Sequence, residues 1–459
     1  MPNNNRLKAA LLYIAVALSV AFNLFFAVSL ALDVNVRKCL IKYKNMVLPI
    51  HIPSRPDNVS GRWRLARKEH SEQRLTPAQK KMIKELESVG YLAGSKPAPQ
   101  VKNVTIYNAE LAYNGLNLIT SGHGPEAILT DMEGRELHKW SYDYSRIQPD
   151  YKAPRHSVNH QYWRRAYIFE NGDILAIFEG LALIKLDKDS NLLWSHTKGA
   201  HHDLFVDEEG RIYVLTRKAA INPKYHKDEP LLEDFIVLLD PEGNELRRVS
   251  VLKSMENSHF ARILANINWV TPGPRNIRGD ILHTNTIELL DGRLAHRSPA
   301  FRKGNVLISI LQLDTVCVVD LDAESVVWAL SGLWRRQHQP TILANGNMLV
   351  FDNLHAPGRS EVIEIDPFSQ QVLWSYTGTT DKPFFTTNCG SSERLPNGNT
   401  LITESNSGRA FEVTPDKTIV WEFYNPYRTG KNNEFIATLS EVIRLDPGFG
   451  SGWLDVESK

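Results

Sequence analysis

The chain has 459 residues, 42% of them apolar, which is enough for a large core, so one big domain with extensions is expected. Basic and acidic residues nearly cancel, 53 against 52, which removes any broad electrostatic case for a nucleic-acid partner. Three cysteines, Cys39, Cys317 and Cys389, are odd in number and far apart, so no disulfide framework or Cys-x-x-Cys metal knuckle is readable.

Residues 1–8 form a basic flank carrying Arg6 and Lys8. Ala9 to Leu32 contains no charged residue, and as a helix it would run about 36 Å, enough to cross a bilayer. It is longer than the roughly 7–15 residues usual for a signal-peptide core, so an uncleaved transmembrane helix is expected. Arg37, Lys38, Lys42 and Lys44 follow it, and counting charges on both sides does not fix its orientation. Residues 33–100 read as a stalk. In it, Thr76 as N-cap, Pro77 at the first helical position and Gly90 as a stop predict a docking helix over 77–89, followed by the linker GSKPAPQ.

From about residue 105 the chain repeats one pattern. A Gly-containing turn leads into a short apolar strand, a second strand ends in an acidic turn, and a third often carries a Trp. The first turns are NGLNLIT at Asn114, NGDILAI at Asn171, EGRIYVL at Glu209, KGNVLIS at Lys303, NGNMLVF at Asn345 and NGNTLIT at Asn397. Asn-Gly between alternating apolar runs is a hairpin signal because both central residues need positive φ. Trp140, Trp194, Trp328, Trp374 and Trp421 close five of the six repeats, and Leu246 stands in the third. Six units of four short antiparallel strands predict an all-β fold, a six-bladed β-propeller over residues 101–459, with the Trp residues packing between blades. The segment ARILANINWVTPGPRNIRGD falls outside the repeat and reads as an insertion.

Histidines occupy a fixed place in this frame. His202 lies eight residues before Gly210, His338 eight before Gly346, and His283 nine before Gly292. Each would begin the innermost strand of one of three successive blades, so the shared offset directs three imidazoles to one spot on the axis. A three-histidine zinc site is the lesser reading, because no carboxylate shares the frame, and no metal is expected.

The motifs HHD, HTNTIE, QHQPTILANGNMLVFDN, NGNTLITES and GRAFEV, in that order, resemble the bacterial PAPS-independent arylsulfotransferases over most of residues 105–425. The resemblance implies a six-bladed propeller that moves a sulfuryl group from an aryl sulfate to a phenolic acceptor through a sulfated histidine, without a cofactor. The histidine of the QH-to-NGN motif, His338, would be the nucleophile. HHD supplies His202 or its neighbour His201, and H-x-N supplies His283 and Asn285. No phosphate-cradling Gly-rich loop is visible, which suits a donor that is not a nucleotide. The periplasm, reached by way of the membrane helix, is the expected compartment.

One position departs from the family. An arginine expected seven residues after the glycine of the H-x-N blade is Leu311 here, which removes a bidentate clamp for sulfate oxygens. Arg217, Arg336 beside Arg335, and Arg409 are candidates to compensate, with Asn353 a further polar candidate of the QH-to-NGN motif. The alternative reading is a membrane-anchored propeller that keeps the fold as a binding or scaffold module without the chemistry.

Overall fold

The computed structural model describes residues 75–87, 98–154, 157–271, 277–379, 381–382 and 384–454. The transmembrane helix expected at 9–32 and most of the expected stalk lie outside these residues. Among the described residues, no helix is long and apolar enough to cross a membrane. The docking helix runs Pro77–Glu87. Its start is a reciprocal cap: Gln79 N donates to Thr76 Oγ1 at 3.2 Å, and Thr76 N donates to Gln79 Oε1 at 2.8 Å. Ile83 and Leu86 dock on Ala219, Leu232 and Ile277.

Six antiparallel sheets make the ring. Named from the inner strand outward, blade 2 is Arg165–Ile168, Ile174–Phe178, Ala182–Leu186 and Leu192–His196. Blade 3 is Ala200–Val206, Ile212–Ala220, Leu231–Leu239 and Glu245–Ser250. Blade 4 is Thr284–Leu289, Val306–Ile310, Thr315–Asp320 and Ser325–Ser331. Blade 5 is His338–Ile342, Met348–Ala356, Arg359–Ile365 and Val372–Tyr376.

The other two blades close the ring with both ends of the described chain. Blade 1 joins Leu116–Ser121, Glu126–Thr130 and Glu136–Ser141 to an inner strand, Leu439–Leu445, from the far end of the sequence. Blade 6 is Ser391–Arg394, Thr400–Glu404, Arg409–Val413 and Ile419–Tyr424, with Asn103–Tyr107 added as a fifth, outermost strand. The expected hairpin at Asn114–Gly115 is therefore not one. Its partner strand arrives some 330 residues later, and a Cβ on Gly115 would lie 2.0 Å from the Leu445 carbonyl oxygen.

The core is distributed around the ring as six apolar clusters, one between each pair of neighbouring blades. The repeat tryptophans work at these seams, as their spacing predicts. Trp140 of blade 1 donates to Gly172 O of blade 2 at 3.0 Å, Trp194 of blade 2 to Pro241 O of blade 3 at 3.0 Å, and Trp374 of blade 5 to Pro415 O of blade 6 at 2.8 Å. Trp421 of blade 6 reaches Met132 O of blade 1 at 2.9 Å. Trp140 and Trp421 are fully buried, each removing roughly 150–250 Å² from water, on the order of 4–6 kcal/mol of transfer free energy. The segment between blades 3 and 4 folds as the helix Val251–Glu256, the 3-10 turn Ala261–Asn266 and a small hairpin of Val270–Thr271 with Ile277–Arg278. It adds no blade.

Inner strands line a central channel and begin at one face, here the upper one, and end in the Gly turns at the lower face. Below the upper rim, the inner strands of five blades each carry a charged residue: Arg165, Asp203, Glu288, Glu393 and Glu441. Arg165 bridges Asp203 Oδ1 and Glu441 Oε1, both at 2.6 Å. Burial raises the carboxyls of Asp203 and Glu441, pushes Glu393 up to about 7, and takes Glu288 up to about 8. A cavity of about 650 Å³, lined in part by Arg165, Gln339, Glu393 and Glu441, occupies this lower end.

Candidate active site

At the upper end, the start of an inner strand leaves regular β geometry in several blades. His202 (φ 54°), His283 (φ 55°), Gln339 (φ 48°) and Cys389 (φ 57°) are left-handed. Strand pairing also slips at this level, between Val214 and Thr216 opposite blade 3's inner strand, between Thr284 and Thr286, and between His338 and Thr341. A bulge re-aims side chains, and each left-handed non-Gly residue costs roughly 1–3 kcal/mol unless its surroundings hold it. Several together at one rim mark a built site.

The strand starts bring His202 and His283 edge to face, with ring centroids 4.8 Å apart. Asp280 Oδ2 sits 2.6 Å from His283 Nδ1, an orienting carboxylate behind the ring. His201 lies behind His202, with Nδ1 to Nδ1 at 2.8 Å, and its Nε2 turns to Asp234 Oδ1 at 3.7 Å. Of the HHD pair it is therefore His202 that meets the ring from blade 4. Burial, with the charges of His283 and other neighbours, holds both His201 and His202 well below the ordinary histidine range. Burial beside Asp280 lifts the Asp234 carboxyl to about 6.

His338 is buried, and its tautomer can be read from its partners. Asn353 Nδ2 donates to the carbonyls of Cys389 at 2.6 Å and Thr386 at 3.0 Å, so Asn353 Oδ1 is an acceptor. His338 Nδ1 stands 2.6 Å from that oxygen and 3.1 Å from Arg336 O, a second acceptor. Nδ1 must carry the proton, which leaves the lone pair on Nε2. Burial, then the Arg164 charge, depresses the His338 pKa to about 3, with His283 and Arg336 contributing. The ring is thus a neutral imidazole at neutral pH, and it shares its electrostatic surroundings with the blade 4 histidine.

The remaining expected residues divide. Asn285 Nδ2 donates to Gln337 O at 2.9 Å, which braces the chain just before His338. Gln337 itself is fully buried, with Nε2 on Ser309 Oγ and on the Ile310 and Thr315 carbonyls. Arg217 reaches Glu179 Oε1 at 3.8 Å across Gly180, where a Cβ would lie 2.1 Å from the guanidinium. Arg336 is half-buried at the rim, with its guanidinium on Asn388 Oδ1 at 3.2 Å. Arg409 is not at the histidines: it is held in blade 6 between Glu404 Oε2 at 3.1 Å and Glu422 Oε1 at 2.6 Å. Leu311 is buried, and its N–H donates to His283 O at 3.2 Å, so its position supplies no cation.

Three carboxylates, Glu179, Asp280 and the Asp234 beside His201, and a guanidinium were not among the sequence candidates. Glu179 Oε2 accepts from His202 N at 3.2 Å, and Asp280 backs His283. Arg164 faces the cluster from blade 2. It lies eight residues before Gly172, the offset of His202 and His338, so its place was legible in the same count. Glu179 does not share the histidines' frame position, yet it joins them: donor atoms of Glu179, His201 and His202 lie within 4.8 Å of one another. Arg217 and Arg164 approach Glu179 at 3.8 and 3.9 Å, and two guanidinium charges there oppose a metal cation and favour an anion.

Buried neutral imidazoles, an Asp-backed histidine and flanking guanidinium groups suit transfer of an anionic group to nitrogen. Residues 165–426, from the inner strand of blade 2 to the end of blade 6, match the arylsulfotransferase (ASST) family. The chain belongs to the arylsulfotransferase family. The match covers more than half of the chain and omits all four strands of blade 1 and the outermost strand of blade 6. Among curated proteins, none matches it. Solved structures similar to it include a protein of unknown function from Bacteroides caccae, at 11% identity and TM-score 0.47, covering 72% of this chain and 98% of that one. The Dos1 propeller is 12% identical with TM-score 0.36, covering 71% and 76%. A streptogramin B lyase is 12% identical with TM-score 0.38, covering 73% and 96%.

Proposed function

We propose that this arylsulfotransferase-family chain moves a sulfuryl group from an aryl sulfate to a phenolic or other hydroxyl acceptor through a sulfohistidine at His338. The edge-to-face contact of His202 and His283, with His338 opening the inner strand of the next blade and its proton held on Nδ1, supports the reading. The lone pair of Nε2 attacks sulfur, and the sulfur–oxygen bond to the aryl group breaks with its electron pair leaving on the phenolic oxygen. That oxygen takes a proton from a neighbouring histidine. His283 is the better placed, since Asp280 holds its ring from behind through Nδ1 and leaves Nε2 to meet the substrate. The acceptor hydroxyl then returns the proton to the same ring as its oxygen takes the sulfuryl group from nitrogen.

An extracytoplasmic placement belongs to the same reading, with residues 9–32 as the segment that would hold the propeller at a membrane. Fractionation of the full chain with and without residues 1–32 tests that part.

Incubation with 4-nitrophenyl sulfate and phenol should release nitrophenolate, and mass spectrometry should find the sulfuryl group on the His338 peptide. His338→Asn should lower turnover by on the order of 10⁴-fold or more. Product formation by that variant at the wild-type rate sinks the mechanism. Leu311 favours a second reading, a binding propeller without chemistry. Aryl sulfate that binds the wild type and is recovered uncleaved would establish it.

A further inference from the structure

The family resemblance leaves the sulfuryl oxygens without their expected arginine, and the geometry offers another. We infer that Arg164 is the oxyanion clamp of this site, a catalytic residue donating from blade 2 to two oxygens of the transferring sulfuryl group in place of the arginine replaced by Leu311. The inference rests on the sulfuryl-transfer reading for its ligand, and on independent observations for its residue.

Arg164 shares the frame position of His202 and His338, and its backbone is fixed by its N–H to Ile177 O at 2.8 Å. The residue is only 7% exposed. Its head group is nevertheless poorly satisfied. Among the described residues its guanidinium makes one hydrogen bond, from NH1 to Ser440 O at a long 3.4 Å, and its Nε makes none. Glu179 approaches no nearer than 3.9 Å and is shared with His202 and Arg217. A buried guanidinium with five donors and one weak acceptor is costly unless something anionic completes it. Glu179, the carboxylate beside it, also accepts the His202 N–H, which sets the guanidinium at the histidine cluster, and after burial the Arg164 charge contributes to the lowered His338 pKa.

The step balances without a further reactant. As the Nε2–sulfur bond forms and the aryl oxygen departs, the three remaining sulfuryl oxygens keep their charge, and a planar fork can hold two of them throughout. Any tetrahedral oxyanion would fit the seat when no ester is present, and inorganic sulfate and phosphate are therefore separate arms of the test.

The experiment compares wild type, Arg164→Gln and Arg164→Lys in single-turnover sulfation of His338 and in calorimetric binding of inorganic sulfate and phosphate, with thermal unfolding as a control for folding. Arg164→Gln should slow sulfation by about 10²–10³-fold and weaken sulfate binding, and Arg164→Lys should recover only part, since a point charge cannot make the fork. A folded Arg164→Gln that sulfates His338 and binds sulfate as wild type does overturns the clamp. Phosphate bound more tightly than sulfate through Arg164 keeps the clamp but overturns its assignment to sulfate esters. If wild type forms no sulfohistidine yet binds sulfate through Arg164, the transfer reading fails and the oxyanion seat stands. Should the variants not fold, wild-type crystals soaked in sulfate decide it: an oxyanion within hydrogen-bond distance of Arg164 Nε supports the clamp, and one bound elsewhere in the channel refutes it.

Discussion

The two ends of the central channel are built from the same six inner strands and have opposite chemistry. At the upper end, buried imidazoles sit beside guanidinium groups, and burial together with those charges keeps His338 and His202 neutral. A few residues further along the same strands, four carboxyls are buried with one arginine that pairs with two of them, and burial pushes the carboxyls up towards their protonated forms. Strand position thus decides how fully a buried charge is paired within the ring. Arg164 Nε is left without a hydrogen-bond partner, whereas Arg165 next to it is tied to Asp203 and Glu441.

That contrast can be broken by exchanging the expected losses. Asn353→Leu at the upper end removes the acceptor that fixes the His338 tautomer. It should lower the rate of His338 sulfation by about 10²–10³-fold, a larger effect than its change in melting temperature explains. Arg165→Met at the lower end leaves two carboxylates without their partner and should cost about 3 kcal/mol in denaturant unfolding. If it instead abolished activity at unchanged stability, the division between the ends would be wrong.

The smallest effect concerns pH. Glu288 and Glu393 have folded pKa values near 8 and 7, above their unfolded value, so the folded state holds these protons more tightly. Their contribution is fully present below about pH 4.5 and is lost as pH rises through 7 and 8. Melting temperature should fall by a few degrees between pH 5 and pH 8, and Glu288→Gln with Glu393→Gln should flatten that slope. Scanning calorimetry across that range reads it, and an unchanged slope in the double variant would remove these two carboxyls as the cause.

Much of the ring was legible because it is periodic. Gly turns and Trp residues recur at fixed intervals, and a propeller needs a turn and a seam in every blade. The site was legible to the extent that it obeys the same count: His202, His338 and His283 begin inner strands as expected. Arg164 was missed because only histidines were followed, though it holds the same place. The position seven after each turn glycine gives Glu179, Arg217, Leu311 and Asn353 in successive blades, and Glu179 was missed for the same reason. Asp280 and Asp234 have no such register, one preceding its strand and the other on a third strand, so only folding brings them in. Arg409 was placed at the site from a neighbouring motif, but two glutamates on its own blade hold it. The left-handed turns that aim the histidines follow from the ring as a whole, and no local pattern announces them.

The way the circle is sealed has a consequence for biosynthesis. Blades 2 to 5 are contiguous in the chain and can pair as they leave the ribosome, but the first blade has an exposed backbone edge until residues 439–445 arrive. A premature stop shortly before Leu439 would therefore harm the opening repeat as much as the final one, leaving a nearly full-length polypeptide with an open, adhesive edge.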